Sequence, residues 1–117
     1  MDERRKTRRK KEANKLSLEP IPKDNSQASK KISIAFTDDI SLCGFKIITD
    51  TYFPVDSFVK ADVSLSKAQK TIDVTGKVRW IKDLADDTYE IGIEIVDTTR
   101  ENIRIFYDHL YKYDGEN

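Results

Sequence analysis

Residues 71–95 decide the fold, and they read TIDVTGKVRWIKDLADDTYEIGIEI. Apolar side chains recur at every second position on both sides of an acidic pair, Asp86-Asp87. The alternating positions are Ile72, Val74, Val78 and Trp80 before the pair, and Tyr89, Ile91, Ile93 and Ile95 after it. A period of two is typical of half-buried β-strands, so the stretch predicts two antiparallel strands joined by a hairpin loop. Gly76 lies inside the first strand, where a glycine indicates a bulge or a bend.

The same alternation continues towards the N-terminus and predicts three more strands. Their core-facing positions are expected to be Ile32, Ile34 and Phe36, then Phe45 and Ile47, then Val59, Ala61, Val63 and Leu65. Five strands with short breaks predict an antiparallel sheet that closes or nearly closes into a barrel. Leu16-Ser17-Leu18 alternates as well and could form a further short strand. Trp80 is expected in the core, and stacking near the ligand site is the alternative.

The C-terminal stretch changes period and predicts a helix over about residues 98–113. Thr98 followed three residues later by Glu101 has the form of a capping box. Apolar residues then recur with helical spacing, which predicts one stripe packed on the barrel. The stripe consists of Ile103, Phe106, Tyr107 and Leu110.

A formal net charge of zero conceals two halves of opposite sign. Residues 1–31 hold 11 Lys/Arg against 5 Asp/Glu, a net +6, and residues 32–117 hold 10 against 16, a net −6. We divide the chain into a flexible basic arm (1–12), a polar linker with a possible first strand (13–30) and the barrel with its helix (31–117). A basic arm on an acidic body indicates an anionic ligand, or an arm that folds back on its own body.

Cysteine content and hydropathy predict a cytoplasmic protein. Cys43 is the single cysteine, which excludes an internal disulfide and a structural zinc site. No apolar run approaches the ~20 residues of a membrane span, so membrane insertion is not expected.

Two motifs have the chemistry of a ligand site. Arg4, Arg5, Arg8 and Arg9 contain the spacing R-x-x-x-R twice, and guanidinium groups match phosphate oxygens and the O6/N7 edge of guanine. Asp39-x-Ser41-x-x-Gly44 joins two predicted strands, and its carboxylate can accept hydrogen bonds from the N–H groups of guanine. Taken singly, the first motif is more often a solvated basic tail and the second a turn.

The two motifs in this order resemble those of the PilZ domain family. The resemblance continues through Gly76-Lys77-Val78-Arg79-Trp80, then Tyr89-Glu90-Ile91-Gly92-Ile93-Glu94-Ile95, then a terminal helix. The resemblance covers about residues 3–9 and 31–113. It implies an all-β fold with a C-terminal helix, namely a six-stranded antiparallel β-barrel. It also implies a bacterial receptor for the second messenger cyclic di-GMP, with roles in motility or biofilm formation.

The resemblance also assigns the site. It implies that Arg5 and Arg9 contact guanines and phosphates with help from Arg4 or Arg8, or that Arg4 and Arg8 form the pair instead. Asp39 and Ser41 become the barrel-side contacts, and Gly44 holds the backbone. No catalytic residue, metal or cofactor is implied, so we expect a binding protein, not an enzyme, that acts on an unidentified downstream protein.

The sequence leaves two alternative functions. A nucleic-acid-binding barrel with a basic arm is disfavoured by the acidic body, so nucleic acid is an unlikely partner. A PilZ-type scaffold without a nucleotide is disfavoured by the intact arginines, Asp39, Ser41 and Gly44. His109 is expected to have no metal or catalytic role, and Cys43 occupies a variable place of the motif.

Overall fold

A computed structural model describes residues 10–22, 32–65 and 69–111. Seven strands and one helix lie in these ranges. They are β1 (Lys10–Lys11), β2 (Lys15–Ile21), β3 (Ser33–Ser41), β4 (Gly44–Thr49), β5 (Phe58–Leu65), β6 (Lys70–Asp83), β7 (Tyr89–Asp97) and α1 (Arg100–Tyr111). Residues 1–9 of the basic arm, which include its four arginines, lie outside the described residues.

The strands form a closed antiparallel barrel. Six of them pair in the order β3-β2-β5-β6-β7-β4, and β4 pairs back onto β3, which closes the sheet. The short β1 adds to the other end of β3, beyond the part that pairs with β2. The predicted six-stranded barrel with a C-terminal helix is therefore confirmed.

Strand β2 is longer than the alternating segment at Leu16 to Leu18. It lies between β3 and β5 and pairs with both, so it is a full member of the barrel. The sheet then reaches back through β1 to residues 10–11, into the stretch that the sequence assigned to the arm.

The barrel interior is filled from all six strands and from α1. The buried apolar residues are Leu16, Leu18, Ala35, Ile40, Phe45, Ile47, Phe53, Val59, Ala61, Val63, Leu65, Ile72, Val74, Val78, Ile91, Ile93, Phe106 and Leu110. The inward faces of β4 and β5 agree with the alternation of the sequence. Burying one such aliphatic side chain stabilises the fold by about 1.5–3 kcal/mol.

The predicted inward face of β3 is wrong. Ile32, Ile34 and Phe36 are 60%, 50% and 51% exposed, and smaller side chains between them face the interior. The register between β3 and β4 shifts between Thr37 and Asp39, because two steps along β3 oppose one step along β4. Such a β-bulge exchanges the two faces of a strand, so Ile40 enters the core although it shares its parity with the exposed residues.

A second bulge places Trp80 outside the core. The pairing of β6 with β7 shifts between Val78 and Trp80, so Val78 is buried and Trp80 is 42% exposed. The core position expected for the indole is therefore wrong. Another shift, between Thr75 and Gly76, agrees with the bulge expected at the glycine. In the loop between β6 and β7, Asp86 and Asp87 have φ of 63° and 59°, as a tight hairpin turn requires.

Helix α1 begins one residue later than the capping box requires. Thr99, not Thr98, accepts the hydrogen bond from the Asn102 amide through Oγ1 at 3.1 Å, which is the N-cap interaction. Thr98 instead donates to the backbone oxygen of Asp73 at 2.8 Å. The buried face consists of Asn102, Phe106, His109 and Leu110. The predicted stripe is therefore only half right, because Ile103 and Tyr107 are exposed.

Candidate functional site

The turn between β3 and β4 is built around Ser41, whose side chain is fully buried. Its Oγ donates to the backbone oxygen of Gly44 at 3.3 Å and accepts from the Cys43 amide at 3.2 Å. The hydroxyl thereby closes the turn with the local hydrogen bonds that serine favours. The described contacts of Ser41 are with the protein, and its contact with a ligand stays a prediction.

Gly44 allows β4 to approach β7. A Cβ atom at this position would collide with the backbone oxygen of Ile93, and Gly44 pairs with Glu94 in the sheet. The glycine at the end of the motif therefore has a structural reason in the barrel itself. It keeps the turn close to the rim formed by β7.

The bulge at Asp38 turns Asp39 away from the core and towards Lys46 of β4. The Lys46 ammonium lies 3.2 Å from an Asp38 carboxylate oxygen, 3.8 Å from one of Asp39 and 3.5 Å from one of Glu90. The hydrogen bond with Asp38, aided by the charges of Glu90 and Asp39, raises the pKa of Lys46 against a smaller opposing effect of burial. Lys46 therefore stays charged and holds the carboxylate of Asp39 at the barrel rim.

An open cleft of about 470 Å³ lies beside this cluster, within the usual size range of small-molecule sites. Its lining residues are Asp39, Cys43, Gly44, Phe45, Lys46, Arg79, Trp80, Gly92, Ile93 and Glu94. Trp80 lies over Gly92, where a Cβ atom would overlap the indole ring. The half-exposed indole therefore lines the same cleft as Asp39 of β3 and Lys46 of β4.

The charged residues that line the cleft balance one another. Asp39 and Glu94 carry negative charge, and Lys46 and Arg79 carry positive charge. Arg79 lies 3.4 Å from Glu94, and Lys46 contacts Asp39. The lining therefore offers an aromatic surface and polar groups without an excess of positive charge.

The start of the arm is fixed at the cleft. In β1, Lys11 pairs with Asp39 and Lys10 pairs with Ile40. The chain that leads to the arginines therefore runs along β3 beside the candidate ligand residue Asp39. Arg4, Arg5, Arg8 and Arg9 themselves lie outside the described residues, so their positions at the site stay a prediction.

Sequence reasoning missed several cleft residues. Lys46 lies in none of the motifs, and Arg79 and Glu94 lie in segments that carry the family resemblance but were assigned no role in the site. Trp80 was expected in the core, with stacking near the site as the alternative. The bulges in β3 and β6 leave only a weak signal in the sequence, because the alternation of apolar and polar residues breaks there without a distinctive motif.

Residues 10–22, 32–65 and 69–111 hold no group of three or more His, Cys, Asp or Glu that could bind a metal ion. In the same ranges, no helix has the length and apolar character needed to cross a membrane. Cys43 is exposed at the cleft.

A family model, the PilZ domain, matches residues 3–112. The chain belongs to the PilZ domain family. PilZ domains form a family of cyclic di-GMP receptors and adaptors, and the matched range includes the arginine arm, the Asp39–Gly44 turn and α1. No curated protein sequence matches this chain.

Solved structures share the fold of this PilZ domain. The inhibitor of motility MotI/DgrA of Bacillus subtilis matches with a TM-score of 0.76 and 11% identity, over 97% of this chain and 52% of that one. The PilZ domain of YcgR from Escherichia coli, solved with c-di-GMP, matches with a TM-score of 0.70 and 12% identity, over 97% and 94%. MrkH, described as a c-di-GMP-dependent transcription regulatory factor, matches with 0.63 and 16%, over 89% and 47%. The chain thus spans about half the length of MotI and of MrkH.

Proposed function

We propose that this PilZ domain is a cyclic di-GMP receptor that closes its arginine arm over the cleft beside Asp39. The observation that carries the proposal is the pairing of Lys11 with Asp39 in β1. This pairing starts the arm at the rim of the cleft, so two motifs separated by thirty residues of sequence can face one ligand.

The barrel supplies the contacts for a guanine base. The Asp39 carboxylate can accept from the guanine N1–H and N2–H groups, because a carboxylate accepts several hydrogen bonds and Lys46 occupies one side of it. The exposed indole of Trp80 offers a surface on which a base can stack, an interaction worth about 1–3 kcal/mol per base. Ser41 and Gly44 hold the turn that presents Asp39.

The arm supplies the charge for the phosphates. Cyclic di-GMP carries two negative phosphates, and the lining residues of the cleft balance each other, so the positive charge has to come from elsewhere. We assign it to Arg5 and Arg9, assisted by Arg4 and Arg8, whose forked donors match phosphate oxygens and guanine edges. Ligand binding would then order the arm, and the ligand shifts this equilibrium by its preference for the closed form.

We infer an output through protein contacts, as expected of a receptor or adaptor without a catalytic role. Residues 1–9 would act as the arm and the closed barrel as the platform. Motility is one process for such control, since one similar structure is named as an inhibitor of motility. A bacterial cytoplasmic setting and a role in biofilm formation belong to the same proposal.

Calorimetric titration of cyclic di-GMP into Arg5→Ala and Arg9→Ala tests this function. A bidentate arginine–guanine pair is worth about 1–3 kcal/mol, so each variant should bind roughly ten- to a hundredfold more weakly. Arg104→Ala is the matched control, because Arg104 lies on α1, where its guanidinium pairs with Glu101 at 2.8 Å. Affinity that is unchanged in both arm variants would refute the proposal, and GMP and short single-stranded DNA separate it from nucleic-acid binding.

A further inference from the structure

Glu12, the residue after β1, is tied to the C-terminal helix. The His109 Nε2 atom donates to Glu12 Oε1 at 2.6 Å, and Asn14 Nδ2 donates to the same oxygen at 3.0 Å. The imidazole is fully buried, and the Glu12 side chain is only 13% exposed. A charged residue at the base of the arm thus reaches a buried polar group on α1.

The backbone around Glu12 is also hydrogen-bonded to the barrel. Thr37 Oγ1 donates to the Glu12 carbonyl oxygen at 2.6 Å and accepts from the Asn14 amide at 2.8 Å. The Glu12 amide donates to the Asp38 oxygen at 3.3 Å. Residues 12–14 therefore bridge β1 and β2, and they touch the bulge that presents Asp39.

Helix α1 is attached to the barrel at both of its ends. Near its N-terminus, Asn102 Nδ2 donates to the Asp73 backbone oxygen at 2.9 Å and lies 3.1 Å from the Asp73 carboxylate. Near its C-terminus, His109 meets Glu12. The second attachment is made to the segment that leads into the arm, whereas the first is made to β6.

We propose that Glu12 is a positioning residue that couples the ligand-binding arm to α1 through His109. The inference rests on the proposed cyclic di-GMP function and adds the route by which ligand binding reaches a second surface. Any shift of β1 on ligand binding is passed on to Glu12, because Glu12 directly follows β1 and its amide donates to the backbone oxygen of Asp38 beside Asp39. His109 then follows Glu12, or it loses the carboxylate in a site that excludes water, which is costly for a buried polar group.

The coupling works in both directions. If the ligand changes the state of α1, then whatever stabilises α1 in that state strengthens ligand binding by the same factor. A partner that binds the outer face of α1, where Ile103 and Tyr107 are exposed, would therefore sense the ligand through this contact.

The sequence provides one spectroscopic reporter at each end of the route. Trp80 is the only tryptophan and lies in the cleft, so its emission reports ligand binding. His109 is the only histidine, so its ring resonances in an NMR spectrum need no further assignment and report α1. In a titration of the wild-type chain with cyclic di-GMP, both reporters should change with the same midpoint.

Three variants test the route. Glu12→Ala should weaken binding about fivefold or more, the lower end of common coupling factors, and the His109 resonance should no longer follow the ligand while Trp80 still responds. Glu12→Gln keeps an acceptor for Nε2 and should retain both responses. Glu101→Ala removes a carboxylate from the exposed side of α1, where it pairs with Arg104, and should behave as wild type. Amide spectra of each variant verify its fold.

The outcomes separate the two proposals. If Trp80 responds in the wild type and His109 does not, the coupling is refuted and the receptor function stands. If Glu12→Ala retains both responses with wild-type affinity, the coupling is refuted as well. If neither reporter responds in the wild type, the receptor function fails and the coupling fails with it.

Discussion

Removing one buried hydroxyl, in Thr37→Val, tests how the base of the arm is held. Thr37 is buried, and its Oγ1 serves two backbone groups, the Glu12 carbonyl at 2.6 Å and the Asn14 amide at 2.8 Å. Valine has the same shape and leaves both groups without this partner. A buried polar group left unsatisfied costs about 1–3 kcal/mol. Because the Glu12 carbonyl is only part-buried, we expect a loss of about 2–4 kcal/mol in the free energy of unfolding.

The matched control is Thr49→Val in the neighbouring strand β4. Thr49 is also buried, but its Oγ1 accepts one hydrogen bond in the described contacts, from the Thr51 amide at 3.2 Å. Its loss should cost about 1 kcal/mol. Against a total stability of about 5–15 kcal/mol, the difference between the two variants is measurable.

Urea denaturation followed by Trp80 emission, with circular dichroism as the second probe, measures both losses. The midpoint should fall further in Thr37→Val than in Thr49→Val, with unchanged slopes. Thr37→Val should also bind cyclic di-GMP more weakly than Thr49→Val, because Glu12 and Asn14, which follow β1, lose this attachment to β3. Equal stabilities of the two variants would refute the assignment of Thr37 as the anchor of this segment.

Three further predictions concern the cleft and the outer face of β3. Gly92→Ala should lower the free energy of unfolding by about 1–3 kcal/mol, as overpacking does, and should alter Trp80 emission. An unchanged emission spectrum would contradict the position of the indole over Gly92. Phe36→Ala should lower the free energy of unfolding by less than about 1 kcal/mol, whereas Phe45→Ala in the core should lower it by about 3–5 kcal/mol. Similar losses for the two variants in urea titrations would contradict the exposed position of Phe36. The pKa of Lys46 is raised from 10.5 in the folded chain. Its charge therefore stabilises the fold at lower pH, and this contribution disappears as the pH rises above that value. The difference in free energy of unfolding between wild type and Lys46→Met should be constant between about pH 7 and 9 and shrink beyond pH 10.5.

The sequence predicted the barrel because its strands keep a period of two over long stretches. Val59 to Leu65 carries the full alternation, and the structure places those apolar residues inside. The prediction failed where a bulge exchanges the faces, as at Asp38 and between Val78 and Trp80. A bulge depends on the pairing with a distant strand, and a period counted along one strand does not include that partner.

The helix shows the same limit. Thr98 and Thr99 are adjacent, and either could cap α1 by sequence alone. The choice follows from Asp73 of β6, whose backbone oxygen takes the Thr98 hydroxyl. The polar residues Asn102 and His109 do not belong to the predicted apolar stripe, yet they are buried, and Asp73 and Glu12 provide their hydrogen bonds.

The candidate site was predicted in part. Asp39 and Gly44 came from a motif and lie at the cleft, while the arginines of the arm remain a prediction. Lys46 and Arg79 were missed because a single lysine or arginine in a strand has no distinguishing neighbour. Their place at the cleft depends on which strands lie side by side.

The position of β2 between β3 and β5 also governs how the chain folds. Strand β2 can complete its pairing only after β5 has been synthesised, and β4 must wait for β7. Contacts between residues this distant in sequence are typical of slowly folding β-proteins. Until they form, β2, β4 and β5 present unpaired edges, which are sites of association between chains. Synthesis of this barrel therefore includes an interval in which its edges are open to aggregation or to chaperones.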